Sequence, residues 1–306
     1  MARFLIRRLL HAALTLAGIA VLVFFGLRVT GDPTLLMAPE GATLDQIDLL
    51  RRQLGFDRPY LWQFVDHLWG LARLDFGTSV VQRLPAGSIV LARLPYTLSL
   101  AGAAFGLALC GGLVLGILAA SRRSRVSGLM ARAVILAGQS LPTFLSGTLL
   151  ILLFAIVLNW LPSSGADAPG ALILPALVLG AYSMAVLARL VQAGLSEELG
   201  KDYIRACRSR GLGRGRILLH ALRNAAPALL AMAALEGGNL FAGTVIVETV
   251  FAWPGLGHLL LQSVQARDFP VTQAVVLMVA GVYVAANLLA DLAHAALDPR
   301  LRARLS

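Results

Sequence analysis

The sequence predicts an all-α integral membrane protein with six transmembrane helices. Three observations carry that prediction. Of 306 residues, 58% are hydrophobic and only 14% charged, against roughly a quarter charged in a soluble globular domain; mean hydropathy is +0.78. The apolar residues gather in runs of about twenty, the helix length that crosses a bilayer core of about 30 Å. None of these runs alternates with period two, so helices rather than barrel strands are expected. Finally, arginines cluster on alternate connections between the runs, the asymmetry of the positive-inside rule.

The first run, 9–29, follows Arg3, Arg7 and Arg8. It exceeds a secretory h-region of about 7–15 residues, and Thr30-Gly31-Asp32-Pro33 follows it instead of an Ala-x-Ala cleavage pattern. It therefore reads as a retained first span. The long link up to residue 96 holds two helical patches. In Thr43 to Leu54, Leu44, Ile47, Leu50 and Leu54 recur at helical spacing; in Tyr60 to Leu74, Trp62, Val65, Leu68 and Trp69 do so. Turn signals at Gly31-Asp32-Pro33 and Asp57-Arg58-Pro59 bound them, so 31–96 reads as a small folded outer subdomain. The remaining spans are expected at 97–120, 133–158, 172–192, 228–250 and 272–294. Gln139 and Ser140 ahead of Pro142 predict a kinked third span, and Arg189 in the fourth is expected to snorkel toward its cytoplasmic end.

Orientation follows from the short links. Arg122, Arg123, Arg125 and Arg132 follow the second span; Lys201 and six arginines from Arg205 to Arg223 follow the fourth; Arg300, Arg302 and Arg304 close the chain. The intervening links carry Asp167, and Arg267 beside Asp268. Both termini are therefore expected in the cytoplasm. The chain divides into 1–30, an N-terminal end and first helix; 31–96, the outer subdomain; 97–294, a five-helix core containing a cytoplasmic loop at 193–227; and 295–306, a cytoplasmic tail.

The net charge of +10 is a consequence of this topology, because the basic residues sit at span ends; nucleic-acid binding is not expected. The two cysteines, Cys110 in a span and Cys207 in the loop, fall on opposite sides of a membrane segment, so no disulfide is expected. Neither has metal-ligand spacing, and no metal site or cofactor is expected in this chain. A phosphate-binding loop needs Gly-x-x-x-x-Gly-Lys-Ser/Thr. The only lysine, Lys201, is followed by Asp202, and Leu195 stands at the first glycine position. The chain is thus not expected to be an enzyme, and nucleotide chemistry is expected of separate subunits.

The segment from Asp202 to Pro227 is the most distinctive. Ser196, Glu197 and Glu198 place acids ahead of it, where a helix dipole favours them. Asp202 is expected to cap a short helix ending near Arg210, with Gly211 as its stop and Gly211, Gly213 and Gly215 marking a turn. A second helix is expected from about Arg216 toward Pro227, which suits the first turn of the next span. Tyr203, Ala206, Cys207 and Arg210 share one helix face, whose small residues allow close approach by another protein.

Within the spans, the costly polar groups are Glu236, Asn239, Glu248, Asn287 and Asp291. Glu236 and Asn239, three residues apart, can share a face and line a translocation path; the alternative is that Glu236 is neutral or pairs with a polar group on a neighbouring span. Glu248 suits an outer gate. Gln139 and Ser140 are further path candidates.

The loop resembles the cytoplasmic signature of ATP-binding-cassette (ABC) importer permeases. The Glu-Ala-Ala positions read Arg205, Ala206 and Cys207, and the glycine is Gly211. The run Asp202-Tyr203 to Gly211-Leu212 is similar to the dipeptide/oligopeptide/nickel branch. So are, in order, Gly31 to Pro33, Leu54 to Pro59, Gly77 to Ser79, Arg93 to Leu98, the set Ser140, Pro142, Phe144 and Gly147, His220 to Asn224, Val247 to Phe251, Trp253 to Gly257, Asp268 to Pro270 and Leu297 to Arg300. The resemblance implies a type I importer fold in a bacterial inner membrane, with a homologous second permease as partner. It also implies two cytoplasmic ATPase subunits binding ATP and Mg, and a periplasmic or lipid-anchored solute-binding protein. Asp202, Tyr203, Arg205, Ala206, Cys207, Arg208, Arg210, Gly211 and Leu212 would form the coupling element. Relatives of this kind carry dipeptides, longer peptides, glutathione or nickel chelates. The competing reading is a self-sufficient proton-coupled transporter using Glu236 or Asp291.

Overall fold

A computed structural model describes residues 2–29, 34, 41–53, 56–120 and 125–297. Gly31 to Pro33, Leu54, Arg122 and Arg123, the side chains of Asp291 and His294, and the tail beyond Leu297 lie outside the described residues. The described chain is helical, with a single isolated bridge, Thr78 to Pro85, and no strand. In order, the helices are α1 (Ala2–Val29), α2 (Leu44–Gln53), α3 (Tyr60–Ala72), α4 (Ala86–Ala120), α5 (Arg125–Ser140), α6 (Thr143–Leu150) with a π-wound continuation (Ile151–Val157), α7 (Ile173–Glu198), α8 (Asp202–Ser209), α9 (Arg214–Val250), α10 (Leu256–Gln265) and α11 (Phe269–Leu297).

Among the described residues five helices are long and apolar enough to cross a membrane: α1, α4, α7, α9 and α11. The pair α5 and α6 makes a sixth candidate, but it is bent by 116° at the break before Thr143. The kink expected from Pro142 is therefore a full break. Pro142 has no N–H to continue the α5 ladder and sits extended (φ −58°, ψ 140°) at the start of α6.

Two other boundaries move. α4 starts at Ala86, eleven residues before the span expected at 97, because Ala86, Ile89 and Val90 bury a helical stripe that prolongs it. α9 runs unbroken from Arg214 to Val250, so Pro227 is inside a helix and not in the first turn of a new one. Gly215 likewise belongs to α9, and the turn is confined to Gly211 to Gly213.

The chain folds as two compact units. One contains residues 2–97 and 254–284. Here α2 and α3 occupy the patches expected to be helical, in the same unit as α1 and residues 254–284. Phe24 of α1, 1% exposed, meets the Phe64 ring of α3 edge-on at 5.2 Å. Arg28 stacks on Phe24 at 4.0 Å and donates to the Gln63 side-chain oxygen at 2.6 and 3.0 Å. Gln63 in turn donates to the carbonyls of Phe56 and Arg58, tying the loop before α3 to α1. The base of α4 packs Ala86, Ile89 and Val90 on Leu256, Leu259, Val271, Ala274 and Val275. Buried Asp268 closes this unit: its carboxylate accepts from the Ser79 hydroxyl at 2.5 Å and from the Val80 and Val81 amides at 3.3 and 3.4 Å.

The other unit contains Leu98–Trp253 and the chain from Ala285. α7 is its most enclosed span, with buried positions on several sides. α4 approaches it through glycine: a Cβ at Gly116 would stand 2.6 Å from the Ala188 carbonyl and 2.5 Å from the Val191 Cβ, and one at Gly180 2.7 Å from the Ala104 carbonyl. Small residues let the helix backbones touch, which is how spans associate in lipid, where apolar burial gives no bias. Leu100, Ala104, Leu174, Leu179, Leu240, Val247 and Phe251 form the main core beside these contacts.

Candidate functional site

The coupling candidates fall on α8 and its turn. Glu197 and Glu198 end α7 instead of opening α8. Lys201, extended at φ −72° and ψ 155°, occupies the cap position, so Asp202 is the first helical residue and not the cap. An acid there still suits the dipole. The reason is a cluster at the α7 end: the Glu198 carboxylate accepts from Lys201 Nζ at 2.5 Å and from the Tyr203 hydroxyl at 2.7 Å. That grip sets the chain direction before α8 begins. The bond to Glu198, first, and the nearby carboxylate charges hold the Lys201 ammonium above the usual lysine range.

α8 ends as the glycine predicted. The Gly211 amide donates to the Arg208 carbonyl at 3.0 Å and the Leu212 amide to Cys207 at 3.1 Å, with Gly211 at φ +73°. This paired arrangement is a Schellman stop. Leu212 and Cys207 pack in the same cluster, supplying its apolar contact.

The helix face expected to meet a partner is divided. Ile204, fully buried, packs with Leu195, Ile217 and Ala221, and Tyr203 and Cys207 lean on the same cluster. These side chains anchor α8 to α7 and α9 of its own chain. The outward face is Asp202, Arg205, Ala206 and Ser209, with Arg208 and Arg210 also exposed. Asp202 and Arg205 pair loosely at 3.4 Å. Ile204 as the anchor was missed in the sequence, although a single isoleucine among charged residues on a short helix marks the buried side.

The path candidates separate too. Glu236 is 3% exposed, and its Oε2 accepts from the Ser183 hydroxyl of α7 at 2.6 Å. Asn239 is exposed, on a stripe with Leu235, Ala242 and Ile246. The two therefore do not share an environment, since a 60° difference around the axis is enough to pass from the α7 contact to the open side. Glu248 is fully buried, its main-chain carbonyl accepting from the Trp253 amide at 2.8 Å. Gln139 accepts from Arg189 of α7 at 2.5 Å, so Arg189 is held by α5 and does not reach for the helix end. The Ser140 hydroxyl, exposed, donates to the Leu136 carbonyl at 2.8 Å. Ser183 was not singled out in the sequence; one hydroxyl in an apolar span carries no pairing signal until its neighbour is known.

Residues 112–303 match the family described as binding-protein-dependent transport system inner membrane component, and residues 1–101 match its N-terminal counterpart. The glutathione transport system permease protein GsiC of Escherichia coli (strain K12) is 39% identical over 304 residues, covering 99% of both chains. The protein of the same name from Shigella dysenteriae serotype 1 (strain Sd197) shows the same figures. Among solved structures, the inward-facing MetNI methionine ABC transporter superposes with a TM-score of 0.56 at 18% identity, over 69% of this chain and 96% of that one. An amino acid ABC transporter with histidines superposes with a TM-score of 0.52 at 20% identity, over 70% and 94%.

Proposed function

The chain belongs to the binding-protein-dependent transport system inner membrane components, and from that premise we propose that it forms half of a translocation path driven through α8. It is the permease subunit of an ABC importer, a multi-pass inner membrane protein, and the activity that hydrolyses ATP belongs to its partners. Its solute on this reading is a peptide or a glutathione-like molecule, as the names of its 39% identical relatives suggest. A homologous second permease completes the path, two ATPase subunits binding ATP and Mg lie beneath, and an outer binding protein delivers solute. Both termini are cytoplasmic, and the loop 193–227 faces the ATPases.

The observation that carries the reading is the construction of α8. One face is fixed to the permease by Ile204, Tyr203 and Cys207, while Asp202, Arg205, Ala206 and Ser209 are left outward on a helix stopped at Gly211. A helix held on one side and free on the other passes displacement from a docked partner to α7 and α9. ATP closing the ATPase pair then biases the permeases outward, and hydrolysis returns them inward. Asn239, on the open side of α9, is the path candidate in this arrangement; Glu236 supports the α7–α9 contact.

Cysteine crosslinking tests the docking. In the assembled importer, Ala206→Cys is expected to crosslink to an ATPase subunit, whereas Ile204→Cys is not. Crosslinks from position 206 only to lipid-like reagents contradict it.

A further inference from the structure

We propose that α3 is an interfacial anchor whose outward face lies in the lipid headgroup layer, at the membrane surface where α1 ends. The anchor is independent of the coupling role given to α8.

α3 has two faces. Gln63, Phe64 and His67 turn toward α1. On the opposite side Leu61, Trp62, Val65, Leu68, Trp69 and Ala72 form one stripe at helical spacing along the helix. The first five of these are between 39% and 73% exposed. Single apolar side chains on a surface are ordinary, but a continuous stripe with two indoles marks a face that something covers.

The contacts with α1 fix the level of that stripe. α1 is long and apolar enough to cross a membrane from Ile6 to Val29, so Val29 marks one surface of the bilayer. Phe24, which meets Phe64 and His67, is about 8 Å from that end along the axis. Arg28, which donates to Gln63, is in the last turn. α3 is therefore held at the border between hydrocarbon and headgroups. An amphipathic helix lying in that plane sinks its apolar face about 5–10 Å, the same range of depth over which α3 meets α1.

The stripe also continues the apolar surface of α1. Leu22, Phe25 and Val29 are exposed there, and the Phe25 ring packs 5.6 Å from Phe64. Indoles favour the headgroup layer, because an apolar body ends in an N–H donor. The Arg73 guanidinium, just after α3, stacks on Trp69 at 4.9 Å, which sets a cation at the level of lipid phosphates. Of the six side chains in the stripe only the two indoles carry a polar atom. The face thus gives a docked protein few of the hydrogen bonds that a protein interface carries, and lipid is the occupant it fits.

The complete importer in vesicles of phosphatidylethanolamine and phosphatidylglycerol tests the anchor. Photoreactive benzoylphenylalanine in place of Val65, at the centre of the stripe, is expected to form adducts chiefly with lipid on irradiation. Adducts chiefly with the second permease or with the binding protein, or no adducts, overturn the proposal. The native indoles give a second reading that does not depend on that replacement. The emission of Trp62 and Trp69 is taken as the difference between the wild type and Trp62→Phe/Trp69→Phe. It is expected to fall by about half or more when the lipid chains carry bromine near the glycerol end, and by less when the bromine is near the methyl end. No quenching, or quenching as strong from the methyl end, overturns the anchor.

Discussion

Gly211 holds a left-handed conformation, φ +73°, at the hinge between α8 and α9, and a Cβ there would meet nothing within 4 Å. The need for glycine is thus conformational and not steric. A β-branched residue in this region costs about 1–2 kcal/mol or more, enough to shift the Schellman stop. Gly211→Val is expected to preserve assembly and basal ATP hydrolysis but to abolish solute-stimulated hydrolysis and uptake. Gly211→Asn, tolerated in this conformation, is expected to keep most of both; equal transport by all three proteins contradicts the hinge role. This glycine was legible in the sequence because helix stops are written locally. His67 was not. Its ring packs 5.4 Å from Phe24, its Nε2 is buried with no hydrogen-bond partner among the described residues, and burial first, with the Arg28 charge second, pushes its pKa below the usual histidine value of 6.5. A depressed histidine stabilises the fold above its unfolded pKa and loses that contribution as pH falls through this value. Melting of the purified complex is expected to drop between pH 7.5 and pH 5.5, and His67→Phe is expected to flatten that dependence; an unchanged slope contradicts it.

At the scale of elements, α7 is the span to which α4, α5, α8 and α9 are fastened. Glycines bring α4 into backbone contact at Gly112 and Gly116, Gln139 and Gly138 bring α5, Glu198 holds the start of α8, and Ser183 meets Glu236 of α9. The Ser183–Glu236 bond is expected to couple the two helices by about 1 kcal/mol, within the range of such bonds between spans. A double-mutant cycle of Ser183→Ala and Glu236→Ala on unfolding of the complex measures it; additive effects place the two residues outside one interaction. Six apolar runs, a kink at Pro142 and the helices α2 and α3 could be read from the sequence, since length, periodicity and proline act on the chain's own neighbours. The pairs between helices could not. Periodicity states which side of α8 is apolar, but only the packed neighbour decides that Tyr203 and Cys207 turn inward while Ala206 stays out. Nor did it show α9 passing through Pro227: a proline inside a span is tolerated where the freed carbonyl is met by other groups, which is settled by tertiary surroundings.

For the whole molecule, family membership makes the chain an importer permease subunit, and the α8 proposal adds that its conformational equilibrium is set by other subunits. A protein of this kind does no work alone, and the account stands or falls on that dependence. The most direct measurement is uptake of labelled glutathione into proteoliposomes holding either this chain alone or the complete importer, with and without ATP and Mg on the side of α8. The account predicts accumulation only for the complete importer, only with ATP on that side and only with the binding protein on the other. Uphill accumulation by this chain alone under a proton gradient, without nucleotide, contradicts it.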